Sequence, residues 1–208
     1  MPFIVILVIG IALIAGTLAL VTGWERRRAR LLKEAGTALG LRALEKGDQL
    51  ALPSVEIMRK RGRKIGAALE GEWQGESITV FDLSYPAGKN VSRTTVFMLR
   101  LPQPSIPEFA AIRKNIWLYT PTVDIPKVQE PPPSLKAHWL LYAPGAQWPF
   151  GDEVTEWLNR NPEWSFEGHG SGLFLYKRVK RVPVKELRKW LDEAIAVVAG
   201  FSPRVFEI

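Results

Sequence analysis

The first two dozen positions form an almost unbroken apolar run. Between Phe3 and Val21 there is no charged residue, and Thr17 carries the only polar side chain. As a helix with a rise of 1.5 Å per residue, this run spans roughly 28 Å, close to the ~30 Å hydrocarbon thickness of a bilayer. The pattern predicts one transmembrane helix from about Phe3 to Thr22, with Trp24 at the depth of the lipid headgroups.

A cleaved signal peptide is the alternative interpretation of this run. Signal peptides begin with a positively charged segment and have an apolar core of about 7–15 residues. Here no Lys or Arg precedes the run, and the run is longer than such a core. The sequence therefore favours a retained membrane anchor.

Beyond the apolar run, the pattern predicts a second helical stretch from Glu25 to Leu44. Its apolar positions are Leu31, Leu32, Ala35, Leu39 and Leu41. We expect this stretch to continue from the membrane as a stalk that ends near Gly47.

Short runs rich in β-branched and aromatic residues follow, separated by Gly, Pro and Asn. Such runs predict the strands of a mostly antiparallel sheet. The predicted strands are Gly66–Trp73, Ser77–Ser84, Arg93–Leu101, Phe109–Arg113, His138–Tyr142, Trp164–Glu167 and Leu173–Val179. We expect a tight turn in the first hairpin and a flexible glycine-rich loop, Gly168–Gly172, in the last.

Two amphipathic helices are predicted late in the chain. One covers Asp152–Asn159, and the other covers Leu187–Val198, with Pro183 before it and Gly200 after it. Five prolines between positions 121 and 133 exclude a helix or a central strand there. The predicted fold class is therefore α+β: one N-terminal transmembrane helix, then a mostly antiparallel sheet with packing helices. We expect an anchor over residues 1–24, a basic juxtamembrane helix and linker over 25–64, and one soluble domain over 65–208.

The net charge of +7 is concentrated next to the predicted anchor. Positions 25–64 hold twelve Lys or Arg against five acids, whereas positions 65–208 hold sixteen of each sign. Positive charge on the C-terminal side of the run predicts an outside N-terminus and a cytoplasmic domain in the cell (inner) membrane. The residues that we expect at the membrane surface are Trp24, Arg26, Arg27, Arg28, Arg30, Arg59, Lys60, Arg61, Arg63 and Lys64.

The cluster Arg59–Lys64 has two interpretations. It is able to hold the domain down on anionic headgroups, at about 1 kcal/mol per charge, or it is a solvated loop before the first long strand. Nucleic acid is a poor partner for it, because the aromatic side chains that stack on bases are missing from the cluster. The expected partners are thus the lipid bilayer and, in addition, a protein.

Candidate catalytic chemistry is sparse. The chain has no cysteine, which excludes disulfides, thiolate zinc sites and cysteine nucleophiles. His138 and His169 are its two histidines, and their separation matches no metal-binding spacing. The string Gly168–Gly172 lacks the lysine and the following helix of a phosphate loop, so a hairpin turn is the favoured interpretation. We therefore assign no catalytic residue, no metal ligand and no cofactor.

Asp82 interrupts an apolar strand, Val80–Leu83. Because side chains alternate between the two faces of a strand, we expect Asp82 on a solvent-facing side. The alternative is a membrane-bound hydrolase that uses carboxylates such as Asp82 or Asp152 together with the glycine-rich hairpin. That hypothesis requires these groups to meet in one pocket.

Six tryptophans lie in the second half of the chain, at positions 117, 139, 148, 157, 164 and 190. Packing in the core is the expected role for most of them. The loop Trp148–Phe150 is the one that we expect to be exposed.

Several short strings resemble a group of uncharacterised bacterial single-pass membrane proteins. The matching residues are Ala38-Leu39-Gly40-Leu41, Arg61-Gly62-Arg63, Gly71, Gly75, Val80-Phe81-Asp82, Leu101-Pro102 and Phe109. The resemblance covers about half of the chain and implies a bacterial source, an N-terminal anchor and a soluble α+β domain. It brings no activity and no functional residue with it. The anchor, the position of the positive charge and the missing catalytic constellation support our first hypothesis, a membrane-tethered cytoplasmic domain that works by binding or scaffolding.

Overall fold

The computed structural model describes residues 2–45, 63–87, 90–101, 106–114, 125–177 and 181–200. It begins with one long helix, α1 (Pro2–Ala38), and continues into a sheet. The strands are β1 (Arg42–Leu44), β2 (Lys64–Trp73), β3 (Glu76–Ala87), β4 (Asn90–Arg100), β5 (Ile106–Arg113), β6 (Trp139–Tyr142), β7 (Trp164–Gly170) and β8 (Gly172–Lys177). The helices that follow α1 in these ranges are α2 (Pro133–Lys136), α3 (Asp152–Arg160) and α4 (Leu187–Ala199), with 3-10 turns at Pro144–Ala146 and Val184–Glu186.

The eight strands form one sheet in the order β1-β2-β3-β4-β8-β7-β5-β6. Every neighbouring pair is antiparallel. The predicted fold class is confirmed: the protein is α+β, with an antiparallel sheet, packing helices and one N-terminal helix that is long and apolar enough to span a membrane.

Both faces of the sheet carry buried apolar side chains. One face packs against α1, α3 and α4, so that Leu32, Val80 and Leu191 belong to the same core and are fully buried. Phe81 and Tyr176 belong to a second buried cluster, built from the alternate strand positions. Since neither face of the central strands is open to water, strand alternation here does not separate solvent-facing from core residues.

Helix α1 ends earlier than the sequence suggested. The predicted helix to Leu44 is wrong, because Gly40 adopts a left-handed conformation (φ 82°) that terminates α1. The Gly40 N–H donates to Thr37 O at 3.0 Å, and the Leu41 N–H donates to Gly36 O at 2.9 Å, which is the Schellman pattern of helix ends. The chain then enters β1, which pairs with β2 at the edge of the sheet.

The glycine-rich string also differs from the prediction of a flexible loop. Strand β7 ends at Gly170 and strand β8 begins at Gly172, so that Ser171 alone lies between the two strands. Gly168 lies within β7, where a Cβ atom would stand 2.4 Å from the Phe109 ring. Gly168 is therefore required by the close approach of an aromatic ring.

Candidate functional site

Helix α1 joins an apolar half to a half that packs on the sheet, with no break between them. In the first half, Ile6 and Leu13 are 68% and 66% exposed. In the second half, Leu32 is fully buried. Trp24, at the boundary, is 78% exposed. Within the described ranges, α1 is the one helix with the length and composition to cross a membrane.

A buried ion pair fixes the second half of α1 to the sheet. Arg28 Nε donates to Asp82 Oδ2 at 2.6 Å, and Arg28 Nη2 donates to Asp82 Oδ1 at 2.9 Å, which is a bidentate arrangement. Thr95 Oγ1, on the neighbouring strand, donates to Asp82 Oδ1 at 2.7 Å. Asp82 is only 3% exposed, so the prediction that it faces solvent is wrong. Helix α1 covers that face of β3 and supplies the counter-charge.

The same arginine reaches a third segment of the chain. Arg28 Nη1 donates to the carbonyl oxygen of Val182 at 3.0 Å. The Val182 N–H in turn donates to Thr95 Oγ1 at 3.1 Å. The segment that leads into α4 is thereby tied to both α1 and β4.

Glu25 forms a second link, one helical turn nearer the apolar half. It accepts hydrogen bonds from Arg181 Nη1 at 3.0 Å and Arg181 Nη2 at 2.7 Å, and it pairs with Arg93 Nε at 3.2 Å. The hydrogen bonds from Arg181 hold the pKa of Glu25 below its ordinary value, although partial burial of the carboxyl opposes this effect. Glu25 therefore remains charged near neutral pH. We call the group Glu25, Arg28, Asp82, Arg93, Thr95 and Arg181 the junction.

The residues expected at the membrane surface fall into distinct environments. Trp24, Arg26, Arg27 and Arg30 are exposed. Arg26, Arg27 and Arg30 lie on the side of α1 turned away from Arg28 and Leu32, whereas Trp24 shares the side of Arg28, one helical turn nearer the apolar half. The Arg28 side chain, in contrast, is 17% exposed and committed to Asp82.

The second basic cluster is also divided. Arg63 is 6% exposed. Burial raises the pKa of the Tyr85 phenol, and the nearby charge of Arg63 opposes part of this rise. Lys64 is exposed at the start of β2. Arg59, Lys60 and Arg61 lie outside the described residues.

The groups of the hydrolase hypothesis do not converge. Asp82 pairs across the sheet with Thr95, and Gly172 pairs with Arg100. Thr95 and Arg100 are five residues apart on β4, which is roughly 17 Å at 3.4 Å per residue. Asp152 is exposed at the start of α3. The pocket that this hypothesis requires is therefore not formed by these residues.

The two histidines likewise form no shared site. His169 Nδ1 lies 2.6 Å from Glu108 Oε1 on the rim of the sheet. His138 precedes β6, and its backbone N–H donates to Leu135 O. In the part of the chain that the structure describes, no three His, Asp or Glu side chains are grouped as metal ligands.

The loop Trp148–Phe150 packs inward, contrary to the expectation that it is exposed. Phe150 is 8% exposed and meets Phe109 edge-on, with ring centroids 4.9 Å apart. Trp148 contacts the same ring at 6.0 Å. Trp148 and Phe150, together with Pro131–Pro133, line a groove of about 760 Å³.

Sequence reasoning missed Glu25, Thr95 and Arg181 as parts of one site. A signal for their role was present in Asp82 itself. An aspartate between apolar neighbours in a strand is costly to bury alone, so it implies a buried cation elsewhere in the chain. Glu25, Arg28 and Leu32 follow one another at intervals of three and four residues, so they lie on the same face of α1.

No protein-family model matches the chain, and no curated protein matches it. Among solved structures, it is similar to the crystal structure of the mycobacterial trehalose monomycolate transport factor A, TtfA, with 14% sequence identity. The TM-score is 0.48, and the match covers 83% of this chain and 91% of that chain. A similarity of this degree says nothing about function. Membership of a bacterial single-pass membrane family stays a prediction.

Proposed function

We propose that this chain is a single-pass membrane protein whose α+β domain works by binding at the surface of an anionic bilayer. The observation that carries the proposal is the continuity of α1. One helix holds the apolar run at one end and is fixed at the other end to β3, β4 and the segment before α4 through the junction. The domain is consequently held in one orientation relative to the anchor.

The position of the cations on α1 supports contact with lipid headgroups. Arg26, Arg27 and Arg30 follow Thr22 by roughly 6 to 12 Å along the helix axis, which places Arg26 and Arg27 in the headgroup layer, about 5–8 Å thick, and Arg30 at its outer edge. They are exposed on the side that faces away from the sheet. Each such charge beside an anionic leaflet contributes about 1 kcal/mol. We call Arg26, Arg27 and Arg30 the collar.

The far end of the sheet suits a protein partner. The β7–β8 turn and the groove beside Trp148 both lie at the end of the sheet away from the junction, since Gly168 neighbours Phe109 and Gly172 pairs with Arg100. A domain fixed by its junction presents this end to the solvent at a constant distance from the bilayer. That arrangement supports the proposed scaffolding of a protein partner near the membrane.

The collar is tested with the full chain in bilayers that contain spin-labelled lipids. Electron paramagnetic resonance measures the motionally restricted lipid beside the protein. We expect phosphatidylglycerol to be restricted more than phosphatidylcholine, and we expect the preference to decrease markedly after Arg26, Arg27 and Arg30 are all replaced by Gln.

A matched control replaces three exposed cations of α3 and α4 by Gln, namely Arg160, Arg188 and Lys189. This control is expected to keep the preference for phosphatidylglycerol. In the unmodified chain, 1 M salt is expected to abolish the preference, because the Debye length falls to about 3 Å. Equal restriction of both lipids by the unmodified chain would refute the role of the collar.

The proposed topology places the N-terminus outside and the domain in the cytoplasm of the inner membrane. The absence of cysteine permits single-cysteine labelling without background. In spheroplasts, a membrane-impermeant maleimide is expected to label Pro2→Cys directly, and Glu156→Cys only after permeabilisation. The intact mass of the mature chain tests retention of the anchor, because cleavage near Trp24 would remove the apolar run.

A further inference from the structure

A row of polar side chains crosses three strands beside the junction. Lys64 on β2 pairs with Ser84 on β3, and Ser84 pairs with Arg93 on β4. Directly paired residues point to the same face, and adjacent strands are about 4.8 Å apart. A hydroxyl therefore stands between two cationic side chains. The row lines a cavity of about 420 Å³ that is also lined by Glu25, Tyr85, Pro86 and Val91.

This cavity lies on the side of the domain that faces the anchor. Arg28 contacts Asp82, whereas Glu25, one turn nearer the apolar run, contacts Arg93, the partner of Ser84. Moving along β3 from Asp82 to Ser84 thus follows α1 toward the membrane. The β3–β4 hairpin continues for three more residue pairs beyond Ser84, or roughly 10 Å. Its end therefore approaches the level of the headgroups.

The charges around the cavity leave a positive excess. The junction and the row together contain the four cations Arg28, Lys64, Arg93 and Arg181 and the two carboxylates Glu25 and Asp82. Four positive charges against two negative charges leave two positive charges. Both carboxylates are already engaged by arginines, Asp82 by Arg28 and Glu25 by Arg181 and Arg93. The excess thus favours a small anion beside Lys64 and Arg93.

The rim of the cavity is apolar. Val91 is 58% exposed, and it is the one large apolar side chain outside α1 that is exposed among the described residues. Pro86, its cross-strand partner, is exposed as well. An apolar pair beside two cations matches a molecule that carries a phosphate next to hydrocarbon.

We propose that this cavity binds the phosphate of an anionic glycerophospholipid in the adjacent leaflet. Lys64, Ser84 and Arg93 donate hydrogen bonds to the phosphate oxygens, and Pro86 and Val91 pack against the glycerol and the first methylenes of the acyl chains. The inference rests on the proposed function, because only a domain held at a bilayer surface meets such a ligand.

Native mass spectrometry of the full chain in nonionic detergent tests the site. The chain is offered equal amounts of phosphatidylglycerol and phosphatidylcholine, and we expect phosphatidylglycerol to be retained in preference. Lys64→Gln is expected to weaken its retention about tenfold, the loss expected for one hydrogen bond to a charged group. The control Lys189→Gln removes an exposed lysine on α4 and is expected to change nothing.

Two results would overturn this assignment. One is equal retention of phosphatidylglycerol by the unmodified chain and Lys64→Gln. The other is displacement of the lipid by inorganic phosphate at the same concentration as phosphatidylglycerol, which would identify free phosphate as the ligand.

A second measurement locates the rim without relying on the cations. A spin label at Val91→Cys is expected to be protected from an aqueous relaxation agent and accessible to oxygen in bilayers, while a label at Ser171→Cys is expected to be accessible to the aqueous agent. Equal aqueous accessibility of the two labels would refute the placement of the rim.

Failures of the two proposals are distinguishable. If Lys64→Gln weakens the retention of phosphatidylglycerol but the spin-labelled lipids show no preference that depends on the collar, the collar alone is refuted. A collar preference without an effect of Lys64→Gln would refute the cavity alone.

Discussion

The pair Arg28–Asp82 permits a quantitative test of how α1 is held. Replacing Arg28 by Met keeps most of the side-chain volume but leaves the Asp82 carboxylate, 3% exposed, without its bidentate partner. Removing one member of a buried ion pair costs about 3–5 kcal/mol. Because the Arg28 side chain is 17% exposed, water replaces part of the lost interaction, and we expect the low end, about 3 kcal/mol.

The assay is thermal unfolding of the domain in nanodiscs, followed by tryptophan fluorescence. For a domain of this size, each kcal/mol lowers the Tm by about 2–4 °C, so Arg28→Met is expected to lower it by about 6–12 °C. In a double-mutant cycle with Asp82→Asn, the double variant should be about 2 kcal/mol more stable than the sum of the single effects predicts.

Arg42 and Glu70 provide the matched control. Their ion pair also joins the N-terminal segment to β2, but the two side chains are 64% and 31% exposed. An exposed pair of this kind contributes about 0.2–1 kcal/mol. Two results would contradict this account of how α1 is fixed to the sheet. One is that the stability losses of Arg28→Met and Asp82→Asn simply add in the double variant. The other is that these losses are no larger than those of Arg42→Met and Glu70→Gln.

Two further predictions follow from the same structure. The pKa of Glu25 is lowered by hydrogen bonds from Arg181, so its stabilising contribution is fully present above the ordinary value of 4.5 and is lost as the pH falls below that value through the folded-state pKa. Glu25→Gln should therefore reduce the acid-induced drop in Tm, and an unchanged pH profile would contradict this. Gly168→Ala should destabilise the domain by about 1–3 kcal/mol, because its Cβ would meet the Phe109 ring at 2.4 Å. Gly151→Ala, where a Cβ meets nothing within 4 Å, is the control in the same urea titration, and equal effects would disprove the steric argument.

Most of the individual elements were predictable because local patterns encode them. Helix α4 begins and ends close to its predicted bounds, and Pro183 and Gly200 flank it as expected. The first hairpin turns at Gln74 and Gly75, both with positive φ, where the sequence placed a turn. The end of α1 was not predictable from apolar spacing alone, because the left-handed conformation of Gly40 overrides the continuing pattern of leucines.

The candidate site was harder to predict than the elements. Glu25, Asp82 and Arg181 are separated by more than fifty residues from one another, and Glu25 and Arg181, each taken alone, are compatible with a solvated surface. The strand order decides that they meet, since β3 and β4 lie under α1 and the segment before α4 runs beside Thr95.

The sequence by itself determined the apolar anchor candidate, the cationic segment after it and the α+β class, because these depend on composition and on periodicity within single segments. The tertiary structure alone decided which charged side chains are exposed to solvent and which form ion pairs within the domain. Arg27 and Arg28 are neighbours in the chain, yet Arg27 faces away from the sheet and Arg28 lies on Asp82. The physical reason is that a helix turns by about 100° per residue, so contact with the sheet selects one arginine and leaves its neighbour exposed.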